Sequence, residues 1–290
     1  MTEDKHIDSL QDDVESLAPT GWLTTADGHQ LAYHQIKADS TKLSQIWPDA
    51  NSPAPEFLFL AGHGSDMFGS KANALASWAE AHGFGCTRFD YFGHGLSDGT
   101  FLEGTISRWT DDAVQVLEAC SNGPVILVGS SLGGWIMLNL AAHLPARIAA
   151  MIGIAAAPDF TETLIWDMLD KAQKSEMQET GQIALPNPYA EGDVIYPYHL
   201  VVDGRQNLRL TQPLRFDGPV ILHQGMIDEE VPHQTAFDIA ACLTSEQVEI
   251  CLDKTAGHRF SGPAQLRALT QSAERILGRL IDRQPDDTRA

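Results

Sequence analysis

The sequence predicts an α/β domain with a mostly parallel central sheet and helices on both faces. Two observations carry that prediction. From about residue 57 onward, short apolar, β-branched runs alternate with longer helical stretches, as in buried parallel strands joined by helical crossovers. One of these junctions is Gly129-Ser130-Ser131-Leu132-Gly133, a G-x-S-x-G between a strand-like and a helix-like segment. With 290 residues, 43% of them hydrophobic, the chain can bury one large core.

The elements follow in order. Residues 1–18 are charged and acidic and read as a flexible arm, leaving 19–290 as a single domain. Residues 21–36 read as a β-hairpin turning at Asp27-Gly28, and a polar, proline-containing loop runs on to Pro55. A strand is expected over 57–60, a helix over 70–82, a strand over 85–89 and a helix over 106–120. Pro124-Val125-Ile126-Leu127-Val128 forms the strand before the G-x-S-x-G turn, and a helix over 135–144 ends near Pro145. Strands over 149–156, 220–223 and 248–252 and helices over 233–243 and 263–280 complete the alternation. Only 159–216 breaks it. That interval has a helical pattern over 161–178, then Pro186-Asn187-Pro188-Tyr189 and Tyr196-Pro197-Tyr198, and no clear core strand. It reads as a lid inserted over the carboxyl ends of the strands, where open α/β sheets bind their ligands.

Composition excludes several classes. Net charge is −20 and the pI near 4.7, which argues against a nucleic-acid partner, because phosphate binding needs clustered lysine and arginine. The four cysteines lack paired short spacings and read as reduced core thiols, so a cytoplasmic location is expected. Neither a secretory signal nor a presequence pattern is evident, and the longest apolar run, 148–158, is too short to span a bilayer. No G-x-G-x-x-G or P-loop is completed, and no zincin or EF-hand motif occurs.

The G-x-S-x-G turn places Ser131 above the sheet edge at a helix N-terminus. A serine hydroxyl is a weak nucleophile and needs an adjacent base, itself oriented by an acid. In a strand–turn–helix setting of this kind the acid and the histidine follow the serine in chain order. Asp228 lies in the loop after the 220–223 strand and His258 in the loop after the 248–252 strand, so all three fall at carboxyl ends of strands. Glu229, Glu230 and Asp159 remain rivals for the acid, and His94 for the base. An oxyanion would be held by the backbone N–H of Leu132 and by that of His63, in the loop after the 57–60 strand.

Taken together these residues resemble the α/β-hydrolase superfamily. Within it, the chain is similar to the group containing the mitochondrial protein-depalmitoylating thioesterase that also acts as an acyl-glucuronide esterase. The likeness runs from about Phe57 to the last helix. It is carried by Met67-Phe68-Gly69-Ser70-Lys71-Ala72, Arg88-Phe89-Asp90-Tyr91, Gly129-Ser130-Ser131-Leu132-Gly133-Gly134-Trp135, Leu185-Pro186 followed by Tyr189, Gly225-Met226 with Asp228 and Val231-Pro232, and His258-Arg259. Many relatives have His-Gly where this chain has Ala61-Gly62, and its N-terminus is acidic where theirs is a presequence. The resemblance implies a Ser131–Asp228–His258 set acting without a cofactor on a small-molecule carboxylic ester or thioester. Amide or carbon–carbon bond hydrolysis on the same residues, and a non-catalytic binding protein on this scaffold, are the competing readings. Trp166, Met168, Met177, Tyr189 and Tyr196 are candidates for an apolar acyl pocket.

Overall fold

A computed structural model of the chain describes residues 18–47, 53–186 and 192–283. All but the last residue of the arm expected over 1–18 lies outside them, as does Tyr189. The hairpin of β1 (Gly21–Thr24) and β2 (Gln30–Ile36) turns at Asp27-Gly28 as expected, with Gly28 at φ 91°. A short helix, α1 (Ser40–Leu43), capped by Asp39, interrupts the expected loop. There follow β3 (Glu56–Leu60), α2 (Ser70–His82), β4 (Cys86–Phe89), a 3-10 turn at Phe101–Glu103, α3 (Ile106–Cys120), β5 (Val125–Ser130), α4 (Leu132–His143) and β6 (Ile148–Ile154).

Between β6 and the next sheet strand the structure departs from expectation. The helix expected over 161–178 is broken into a π-helical turn (Thr161–Ile165), a 3-10 turn (Trp166–Met168) and α5 (Lys171–Thr180). The break has a local cause. Leu169 is extended and buried, and Asp170 starts a new helix through a capping box with Gln173. Two strands that the sequence reading missed follow, β7 (Gln182–Pro186) and β8 (Asp193–Pro197), paired with each other and not with the main sheet, then α6 (Tyr198–Gly204). Leu169, Met177, Ile183 and Val201 form a small core of their own. Asp159 ties the far end of the insertion to its start, accepting from the N–H groups of Arg209 and Leu210 at 2.8 and 2.9 Å.

The chain then returns through β9 (Val220–Gly225), α7 (Gln234–Cys242), β10 (Val248–Asp253) and α8 (Pro263–Asp282). The eight-stranded sheet has the order β1-β2-β4-β3-β5-β6-β9-β10; β2 is antiparallel to both its neighbours and every other pairing is parallel. Strand order reverses around β3, with β4 on one side and β5 on the other, so the loops after β3 and β5 open into a crevice at the carboxyl edge.

The helices show why each lies where it does. In α3 the Thr105 side chain caps the Arg108 N–H, and Ile106, Trp109, Ala113, Val116 and Leu117 make one buried face. Helix α4 is different: every residue from Leu132 to Ala141 is buried, so it shows no amphipathic stripe. It passes so close to the sheet that a β-carbon at Gly133 would lie 2.0 Å from the Leu60 carbonyl oxygen, and one at Gly129 2.4 Å from the Gly133 oxygen. Cys86 is buried and Cys120, Cys242 and Cys251 are half-buried, all as free thiols. No helix among the described residues is long and apolar enough to cross a membrane.

Two glycines in helices should therefore respond oppositely to alanine. Gly133→Ala forces backbone apart and should cost about 1–3 kcal/mol or more. Gly278→Ala, on an exposed turn of α8 with open space around it, should add about 0.5–1 kcal/mol. Urea denaturation of the two variants beside wild type measures both.

Candidate active site

Ser131 ends β5 and starts α4 with φ 53° and ψ −117°, a conformation an L-residue adopts only under strain. Two bonds across the sheet hold it there: its N–H donates to the Ile154 carbonyl, and the Ala157 N–H donates to its own carbonyl, both at 3.0 Å. The side chain consequently projects away from the strand, towards the loops at the carboxyl edge.

The acid and base loops come together because β9 and β10 are adjacent and parallel. The Met226 N–H donates to the Asp253 carbonyl at 2.8 Å and the Ile227 N–H to the Ala256 carbonyl at 3.2 Å, which ties the two loops to each other. His258 Nδ1 is 3.0 Å from Asp228 Oδ2, and His258 Nε2 is 3.0 Å from Ser131 Oγ. An ionised Asp228 only accepts, so Nδ1 carries the proton and donates it to Asp228; Nε2 is then the acceptor for the serine hydroxyl. Asp228 is fully saturated. Its Oδ2 also accepts from Gln224 Nε2 at 2.9 Å, and its Oδ1 accepts from the N–H groups of Glu230 and Val231 at 3.0 and 2.9 Å. Burial pushes its carboxyl up, but the bonds and charge of His258 and the two N–H donors outweigh that and hold it below its ordinary value.

The rivals separate by position. Asp159 spends both oxygens on the backbone of the insertion. Glu229 is exposed. Glu230 is on the other side of the imidazole, with Oε2 3.9 Å from His258 Nε2, and burial raises its carboxyl. His94 is not at the serine but beneath the loop after β3. Its Nε2 accepts the Gly64 N–H at 3.1 Å, so its proton is on Nδ1, facing the Phe92 carbonyl at 3.2 Å. Burial depresses it to about 4. It is therefore a neutral anchor, a role the sequence reading, which kept His94 as a rival base, did not anticipate. Asp90 anchors the same loop by accepting the Met67 N–H at 2.7 Å, and that of Leu96 at 2.9 Å.

The anchored loop lies over the serine: a β-carbon on Gly62 would be 3.4 Å from the Ser131 Cβ. Among the described residues, the His63 N–H donates to no acceptor. The Leu132 N–H opens α4, where no intrahelical acceptor exists. The His63 ring is enclosed by Phe101, Trp109 and Phe160 and stacks on Tyr196, with centroids 5.8 Å apart and planes at 14°. Burial, helped by the neighbouring His94, lowers it to about 3, so this ring is neutral.

Of the residues expected to line an acyl pocket, Tyr196 alone among those described meets the site loop. Met177 is wholly buried in the insertion's own core, Met168 is 75% exposed, and Trp166 is held between Arg205 and Lys174 beside Tyr198.

Buried neutral histidines make stability depend on pH. His63, His94 and also His223, whose Nε2 meets Ser272 Oγ at 2.8 Å, are depressed by burial to about 3, 4 and 4 from an ordinary 6.5. In the unfolded chain they take up protons first. Their contribution is thus complete above about pH 6.5 and is lost as pH falls towards 4. Asp112, which burial raises to about 7, binds a proton in the folded state over the same range and opposes them. His94→Gln keeps an acceptor for Gly64 but does not titrate. Its unfolding free energy, measured by denaturant at pH 7.5 to 4.5, should fall less steeply than wild type's by about one proton.

A family model described as serine aminopeptidase, S33, matches residues 53–189. The chain is 36% identical over 264 residues to the mitochondrial palmitoyl-protein thioesterase ABHD10 of Mus musculus, spanning 91% of this chain and 84% of that protein. The solved structure of mouse α/β-hydrolase domain-containing protein 10 matches with a TM-score of 0.80 at 32% identity, covering 90% of this chain and 98% of that one. A solved structure from Agrobacterium vitis S4 matches with a TM-score of 0.81 at 33% identity, covering 89% and 98%. With this sheet, this turn at Ser131 and these relatives, the chain belongs to the ABHD10 family of α/β hydrolases.

Proposed function

We propose that the protein is a serine hydrolase that cleaves an acyl thioester or carboxylic ester through an acyl-enzyme. The observation that carries this reading is the continuous Ser131–His258–Asp228 alignment, with 3.0 Å at each junction. Ser131 Oγ attacks the acyl carbon while His258 Nε2 takes its proton. Asp228 keeps the Nδ1 proton in place and stabilises the imidazolium that forms. The carbonyl oxygen becomes an oxyanion, received by the N–H groups of Leu132 and His63, each such donor being worth roughly 10²–10³ in rate. His258 then returns the proton to the leaving thiolate or alkoxide as that bond breaks. Water, deprotonated by the same nitrogen, attacks the acyl-enzyme and releases the acid and the free serine. No step calls for a metal or a coenzyme.

The substrate class is supported by the relatives named palmitoyl-protein thioesterases and by the apolar, aromatic surround of the oxyanion loop. In this reading 159–216 acts as a lid, with Phe160 and Tyr196 as contacts to that loop.

Hydrolysis of p-nitrophenyl esters and acyl thioesters of increasing chain length tests the proposal. Wild type should turn over, Ser131→Ala should lose on the order of 10⁶ in kcat, and Asp228→Asn about 10⁴ with the fold intact. A fluorophosphonate should label wild type and not Ser131→Ala. Turnover that survives in Ser131→Ala would remove Ser131 as nucleophile. Cleavage of amides but not esters would favour the peptidase chemistry for which the matching family model is named.

A further inference from the structure

The segment Met67-Phe68-Gly69-Ser70-Lys71-Ala72 is one of the motifs carrying the family resemblance, and the mechanism above leaves its lysine unused. Lys71 is in the first turns of α2, directly after the loop that carries His63. Its side chain is half-buried. It crosses to the loop after β10 and donates to the Arg259 carbonyl at 2.6 Å. Withdrawal from solvent, with the Arg259 guanidinium nearby, lowers Lys71 to about 8.

What it holds is the turn bearing the imidazole. Gly257-His258-Arg259-Phe260 closes through a bond from the Phe260 N–H to the Gly257 carbonyl that is long, at 3.3 Å. Phe260 is buried and has φ 45°, in the left-handed region that bulky residues avoid. The carbonyl of the strained Arg259–Phe260 peptide is the one Lys71 grips. That carbonyl belongs to the residue directly after His258, whose ring has its two partners at 3.0 Å each.

We propose that Lys71 is a positioning residue, whose ammonium fixes the Arg259 carbonyl and thereby holds the His258 turn in register with Ser131. The proposal rests on the reading of His258 as the general base. Because α2 also begins where the oxyanion loop ends, one side chain connects the two loops that face the serine from opposite sides of the crevice.

The test compares Lys71→Met, which keeps the aliphatic stem, and Lys71→Arg, which keeps a permanent cation, with wild type and His258→Ala. Readouts are kcat and KM on p-nitrophenyl butyrate, the rate of fluorophosphonate labelling of Ser131, and the thermal midpoint. Misplacing a base by about 1 Å can cost on the order of 10². Lys71→Met should therefore lose roughly 10- to 100-fold in kcat and in labelling rate, with KM within about twofold, and Lys71→Arg should recover most of both. If Lys71→Met does not fold, Lys71→Gln, whose shorter amide falls short of the Arg259 carbonyl, is read in its place against the same expectation. Wild-type kcat and labelling in a folded Lys71→Met overturn the proposal. So does a loss expressed in KM, which would make Lys71 a substrate contact. His258→Ala separates the two claims. If it labels and turns over like wild type, the base assignment fails and the Lys71 proposal with it. If it is inactive while Lys71→Met is unimpaired, the Lys71 proposal alone fails.

Discussion

Everything at the site depends on how closely α4 crosses the end of β5. With Leu60 backbone 2.0 Å from where a Gly133 β-carbon would be, the chain can leave the strand and enter the helix in a single residue. That residue is Ser131, and its φ of 53° follows from the sharpness of the turn. The cost is met by burial: α4 is surrounded by core from Leu132 to Ala141, so it cannot slide or tilt to relieve the strain. A hydroxyl is thus presented above the sheet at the buried junction of β5 and α4, beside helix N–H groups that have no intrahelical acceptor.

Around that fixed point the other groups are supplied by loops, and loops have to be tied down. Two sets of ties are visible. On one side, His94 and Asp90 in the loop after β4 hold the backbone of Gly64 and Met67, and with them the stretch containing His63. On the other, the loops after β9 and β10 are bonded to each other and close on Asp228, whose carboxylate is saturated by Gln224, Glu230, Val231 and His258. Lys71 bridges the two sides through the Arg259 carbonyl. Burial keeps the imidazoles of His63 and His94 neutral, while the bonds around Asp228 hold its carboxyl below its ordinary value.

The insertion between β6 and β9 follows a different logic. It contributes nothing to the central sheet and builds a private cluster from Leu169, Met177, Ile183 and Val201. Its joins to the main body are both polar and apolar: Trp135 Nε1 donates to the Asn207 carbonyl and the Ser107 N–H to Asp203 Oδ2, both at 2.9 Å, while Phe160, Ile165 and Leu200 pack into the main core. Next to the serine its contacts are Phe160 and Tyr196 against the His63 ring. Two of the side chains expected from sequence to line an acyl pocket, Met177 and Trp166, are used to hold the insertion together.

Much of this was legible from residue order. Alternating apolar runs specify strands and crossover helices because burial on both faces has a recognisable composition. G-x-S-x-G in that setting specifies the turn because only glycine tolerates such close backbone, and the order Ser131, Asp228, His258 specifies loops on one edge. The Asp170–Gln173 capping box was also present in the sequence and would have divided the helix drawn over 161–178. Other features were not legible. Asp159, Asp228 and Glu230 are alike as acids at strand ends, and His94 and His258 alike as loop histidines. The histidines are separated by β10 lying beside β9 at one edge of the sheet while β4 lies on the far side of β3, and the acids by their partners, Asp228 meeting His258 Nδ1 while Asp159 is taken up by the Arg209 and Leu210 backbone and Glu230 lies towards Nε2. Sequence pattern reports local backbone preference and burial. Which loops become neighbours, and hence which carboxylate meets which imidazole and which lysine meets which carbonyl, is decided only when strands distant in the chain are hydrogen-bonded into one sheet.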